Sequence, residues 1–83
     1  MGEAIVEIIE NQLRDNNPPE TAATLQRLLR NGTSRVHAMQ MIATVMSVEL
    51  FNIMKSQAPY DEQRYVNNLR RLPELPFGES DEI

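Results

Sequence analysis

The longest apolar stretch of this chain, residues 34–56, reads SRVHAMQMIATVMSVELFNIMKS. Thr33 or Ser34 can cap a helix here, and the apolar pattern continues to about Ser56. The β-branched residues would also suit a strand, but a run of roughly 22 residues is too long for a typical strand. The apolar residues cover far more than one stripe of a helix, which is typical of a helix packed on several sides. The sequence therefore predicts a long central helix.

Two shorter helices are predicted, one near each end of the chain. The first runs from Gly2 to Asp15, with isoleucines and a leucine at helical spacing and glutamates on the opposite face. The last begins at Asp61, whose side chain can cap it, and ends before Pro73 because proline cannot continue a helix. Each of these helices has a single apolar face.

The segment between the first helix and the long central helix carries clear start and stop signals for one more helix. Asn17 is the expected N-cap, Pro18 the expected first helical residue, and Glu20 can reach back as in a capping box. Gly32 is the expected left-handed residue that ends this helix. The expected fold is therefore all-α, an irregular four-helix bundle with a long central third helix.

The length and composition limit what this fold can contain. The chain of 83 residues has no cysteine, which excludes disulfides and cysteine zinc sites. A chain this short buries only about 60 % of its unfolded surface. Residues 1–77 are expected to form a single helical domain, and residues 78–83 a flexible acidic tail.

The net charge of −4 argues against nucleic acid as a partner, because nucleic-acid affinity comes mostly from neutralising phosphates. Residues 25–46 superficially resemble a helix-turn-helix, but the second helix is too apolar to read bases, so an αα-hairpin is the better interpretation. We find no apolar run long enough for a membrane span and no export signal, and we expect a cytoplasmic protein.

Candidate chemical groups are few. His37 is the single histidine, and its helical neighbours include no carboxylate that could orient it for acid–base work. Glu7, Glu10 and Glu49 could meet as metal ligands inside a bundle, but the Glu-x-x-His pairs of diiron bundles are missing, so we interpret them as a solvated face. The sequence therefore predicts no enzyme, no cofactor and no metal site.

Several short motifs follow one another along the chain. They are Glu10-Asn11-Gln12-Leu13, Pro18-Pro19-Glu20, Thr24-Leu25-Gln26-Arg27-Leu28, Gly32, Arg35, Ala38 and Ile42. The series resembles a small all-helical bacterial family of unknown function with the pattern E-N-Q-L, P-P-E, T-L-x-R-L and G-x-x-R-H-E-A-I-H-A-I. The resemblance covers roughly residues 5–72, and it implies an all-helical fold.

The chain departs from this family where the family carries histidines. The family's H-E-x-x-H stretch is similar to a helical metal-binding motif. Here Val36 and Gln40 occupy the two histidine positions, His37 occupies the glutamate position, and the first-helix histidine falls at about Val6. The resemblance therefore implies no functional residue in this chain.

The favoured hypothesis is a non-enzymatic interaction or assembly module that self-associates, with a homodimer as the expected state and another protein as a possible partner. Three short helices cannot cover a helix that is apolar nearly all round, so a patch should remain for a second copy. The candidate interface residues are Met39, Met46, Leu50 and Ile53, together with the first helix. The alternative is a degenerate metal-binding or hydrolase-like domain in which His37 and Glu10 keep a weak site.

Overall fold

The computed structural model describes residues 2–75, with side chains from residue 4 onward. It contains four α-helices: α1 (Gly2–Asp15), α2 (Pro19–Arg30), α3 (Arg35–Ser56) and α4 (Glu62–Arg71). The predicted all-α four-helix bundle is confirmed. The predicted acidic tail, residues 78–83, and the domain boundary at residue 77 lie outside the described residues.

The helix starts follow from local capping chemistry. The Ser34 hydroxyl accepts a hydrogen bond from the His37 backbone N–H at 3.2 Å, and the Asp61 carboxylate accepts one from the Arg64 backbone N–H at 3.0 Å. Both caps satisfy donors that the first turn leaves free. In α2 the N-cap is Pro18, without a side-chain cap. The predicted capping box is therefore wrong, because the helix starts one residue later than expected and its N-cap residue carries no acceptor.

The helix ends use left-handed residues. Gly32 has φ +96°, and the next residue, Thr33, donates its backbone N–H to the Leu28 carbonyl at 3.0 Å. This is the Schellman arrangement, which requires a residue with positive φ, and it confirms the role predicted for Gly32. Asn16 (φ 51°) and Gln57 (φ 53°) take the same conformation after α1 and α3.

The core lies where α3 packs against the other three helices. It consists of Ile5, Ile9, Leu25, Leu28, Ala38, Met39, Ile42, Val45, Met46, Tyr65, Leu69 and Leu72. Among residues 2–75, α2 also packs against every other helix, which the sequence did not indicate. The reason is that Thr21 and Thr24 of α2 are buried as well, so its buried face is wider than its leucines suggest.

One side chain of α2 closes the end of α4. The Arg27 guanidinium donates to the backbone carbonyls of Leu72 at 2.6 Å and Leu69 at 3.0 Å. The last carbonyls of a helix have no partner within the helix, and a cation suits the negative end of its dipole. Arg27 therefore fixes α4 against α2.

By length and composition alone, α3 could cross a membrane, which revises the statement that no segment is apolar enough to do so. A core helix of a water-soluble bundle passes the same test. In this fold α3 contacts three other helices and its Glu49 pairs with Arg64 of α4, while 33 % of its most apolar window is buried. The absence of a membrane span stays a prediction.

A candidate interaction surface on the third helix

The face of α3 that points away from the core carries no charged residue from Val36 to Met54, and the Lys55 ammonium just beyond it lies 5.6 Å from the centre of the Phe51 ring. Between Val36 and Met54 the single charged residue is Glu49, and it is fully buried. Large apolar side chains remain exposed on this helix: Val36 is 69 % exposed, Phe51 61 % and Met54 80 %. Because charged residues make up 24 % of the whole chain, an uncharged exposed face of this length is unusual for a surface that meets only water.

The polar residues of this face are partly satisfied within the helix. The Thr44 hydroxyl donates to the Gln40 carbonyl, and the Ser47 hydroxyl donates to the Ala43 carbonyl, each at 2.9 Å. Hydroxyls that bond back to the preceding turn have already used their donor. Removing them from water therefore costs little, and the face behaves as a more apolar surface than its residue names suggest.

A groove of about 570 Å³ adjoins this face, between α3 and the N-terminal half of α1. Apolar and polar residues of both helices line it: Ile5, Val6, Glu10, Arg35, Val36, Met39, Gln40, Ala43, Thr44 and Ser47. The small side chains of α3 at Ala43 and Ser47 keep the groove open. An exposed apolar face beside an apolar groove is the usual form of a docking surface.

The structure places the four predicted interface residues on the side of α3 that α1 covers. Met39 is only 9 % exposed and Met46 only 4 %, and both belong to the bundle core. Leu50 and Ile53 are half-buried and line a second groove beside Ile8. The two methionines therefore do not form part of an exposed patch, whereas Leu50 lies at its edge.

Glu49 is the main surprise among the candidate chemical groups. It is fully buried and not part of a solvated face. Arg64 binds it in a bidentate manner, with Nε to Oε2 at 2.7 Å and Nη2 to Oε1 at 3.0 Å. These hydrogen bonds raise the pKa of Arg64 further above its ordinary value. The spacing of Glu49 from Ile42 and Val45 was a usable signal, because it repeats the steps of the core face.

A second buried polar group joins three elements. The hydroxyls of Thr21 in α2 and Tyr65 in α4 both donate to the side-chain oxygen of Gln12 in α1, at 2.8 Å each. The pKa of Tyr65 lies above its ordinary value because burial raises it by more than the hydrogen bonds with Thr21 and Gln12 lower it. The Tyr65 phenol is therefore engaged within the network, and we interpret the network as a structural feature that fixes how α1, α2 and α4 meet.

The predicted acid–base and metal candidates do not come together. His37, Glu7 and Glu10 are exposed. Among residues 2–75, no group of three or more His, Asp or Glu side chains is placed to hold a metal ion. The described residues therefore give no geometric support for the degenerate metal-binding alternative.

Comparisons with protein-family models, with curated proteins and with solved structures found no match to this chain. The resemblance to the bacterial family described above therefore stays a prediction.

Proposed function

We propose that this chain is an interaction module without enzymatic activity, and that it pairs with a second copy of itself through the exposed face of α3. The observation that carries the proposal is the uncharged face from Val36 to Met54, with three large apolar side chains exposed to water. A soluble monomer gains nothing from such a face, and aggregation is the risk it creates.

A pairing of identical copies suits this surface because its exposed residues and its groove lie together. In a two-fold dimer the same patch is used twice, so each copy both offers side chains and receives them. Phe51 alone, at 61 % exposure, offers on the order of 100 Å² of the roughly 800 Å² per partner that a standard interface buries. Part of the gain is lost to association entropy, so we expect micromolar affinity.

The experiment compares Met54→Glu with the unaltered protein by sedimentation equilibrium. Met54 is 80 % exposed in the single chain, so a carboxylate there leaves the fold intact. In the paired state that carboxylate would lose water and replace an apolar contact of the interface, which costs more than a nearby cation at the edge of the interface returns. We expect the dissociation constant to rise at least about tenfold, the equivalent of roughly 1.4 kcal/mol.

The matched control is Gln26→Glu, which adds the same charge at an exposed position of α2. It should leave the dissociation constant within about twofold of the unaltered value, because exposed charges far from the interface contribute little. An equal effect of both variants would mean that net charge, and not the α3 face, controls association. That result would contradict the proposed function.

A further inference from the structure

We infer that two copies pair their α3 helices in antiparallel orientation, about a two-fold axis that crosses the exposed side of α3 at the level of residue 45. This inference rests on the proposed self-association and adds the arrangement of the partner. It commits to a second copy of this chain as the occupant of the α3 face and of the groove beside it.

The pattern on α3 is a seam of nearly three heptads. Six residues follow steps of four and three, as in the contact seam of a coiled coil: Val36, Gln40, Ala43, Ser47, Leu50 and Met54. None of the six is buried in the single chain. The buried residues Ala38, Ile42, Val45 and Glu49 follow the same rhythm on the opposite side. One side of α3 therefore serves the bundle, and the seam has the spacing that a partner helix needs, although its Ala43 and Leu50 also pack partly against the core.

The seam is self-complementary when two copies run antiparallel. When two such helices run antiparallel, the layers pair Val36 with the partner's Met54, Gln40 with the partner's Leu50 and Ala43 with the partner's Ser47. The small side chains then meet at the centre, where the backbones can approach closely, and the large ones meet towards the ends. A parallel pairing would instead stack each residue on its own copy and would place the two positive helix N-termini side by side, which is unfavourable.

Two further features favour this register. The midpoint of α3, which runs from Arg35 to Ser56, falls beside residue 45, so the helices overlap over their full length of about 33 Å. Each positive N-terminus then lies beside the partner's negative C-terminus, which is the favourable arrangement of two helix dipoles.

The groove leaves room for a partner helix on the seam, although the seam lies beside α1. Val36, Gln40, Ala43 and Ser47 line the groove, and these are the residues that would face the C-terminal half of the partner's α3. The partner's Leu50 and Met54 are the large side chains that arrive there. The 570 Å³ of open space is room for both of them.

The test uses single-cysteine variants, which are free of background because the chain has no cysteine. Val36→Cys and Met54→Cys are prepared separately, mixed at micromolar concentration and oxidised mildly. In the antiparallel register each cysteine lies opposite the other variant's cysteine and about 27 Å from its own copy, which is 18 residues of helix rise. A disulfide needs Cα atoms within about 7 Å.

We expect the mixture to form the mixed disulfide, and each variant alone to form at most a minor amount of disulfide. Gln26→Cys mixed with Met54→Cys is the control, and it should give no mixed product above that background. A dimeric mass in sedimentation with disulfides only between identical variants would overturn the antiparallel arrangement and leave the proposed function standing. A monomeric mass would overturn the proposed function itself and this inference with it.

Discussion

At the scale of single residues, one buried carboxylate of the bundle depends on one guanidinium for its hydrogen bonds. Glu49 lies fully inside the protein, and Arg64 supplies two hydrogen bonds to its carboxylate. Removing one partner of a buried ion pair leaves a charge without water or a counter-charge, which is far more damaging than removing both. Arg64 itself is partly exposed, so replacing it relieves little desolvation cost that could offset the loss at Glu49.

We therefore expect Arg64→Met to lower the denaturant midpoint strongly, and the double variant Glu49→Leu with Arg64→Met to recover most of the loss. Chemical denaturation followed by circular dichroism measures both. The control is Arg70→Met, because Arg70 forms a looser, exposed pair with Glu20 at 3.6 Å, and it should change stability by less than about 0.5 kcal/mol. Equal effects of the two arginine variants would show that Glu49 does not depend on Arg64.

Tyr60 predicts a pH dependence on the alkaline side. Burial, followed by the nearby Tyr65 and acidic side chains, raises the pKa of Tyr60 to about 12 from its ordinary value of 10.0. Between these values the unfolded chain loses the phenolic proton first, so the stability that protonated Tyr60 contributes is present below pH 10 and is lost as the pH rises towards 12.

We expect the free energy of unfolding to fall less steeply in Tyr60→Phe than in the unaltered protein between pH 10 and pH 12. Urea titrations at several pH values measure the two slopes. Slopes that coincide would mean that Tyr60 is as free to ionise in the folded protein as in the unfolded chain.

At the scale of elements, most helix bounds could be predicted from sequence because their signals are local. Ser34, Asp61 and Gly32 act where their residue types predict, since a cap or a left-handed turn depends on a few neighbouring atoms. The start of α2 could not be placed to the residue, because Asn17 and Pro18 both suit its N-terminus. The role of Arg27 at the end of α4 depends on a contact 45 residues along the chain, which local patterns do not contain.

The turn between α2 and α3 gives a prediction at this scale. A side chain at Gly32 would meet no atom within 4 Å, and its φ of +96° is rare for any other residue. The loss in Gly32→Val therefore comes from backbone conformation alone, and we expect about 1–2 kcal/mol in thermal unfolding. Gly32→Asn, which tolerates left-handed conformations better, should lose less. An unchanged melting temperature in Gly32→Val would show that the helix can end without this residue.

At the scale of the whole molecule, the sequence predicts that α3 is central but not which of its sides stays exposed. Apolar residues surround the helix, so its composition does not indicate which side is buried, and the positions of α1, α2 and α4 decide this. Met39 and Met46 are covered, whereas Val36 and Met54 are not. The seam from Val36 to Met54 could have been found by asking which residues remain once the core rhythm of Ile42, Val45 and Glu49 is removed.

The central claim is that this chain associates through that seam, and the mass of the unaltered protein tests it most directly. Light scattering at about 100 μM, well above a micromolar dissociation constant, should give a mass near twice the 9.5 kDa of one chain, and the mass should fall towards one chain on dilution into the low micromolar range. A mass that stays near 9.5 kDa throughout this range would contradict the account.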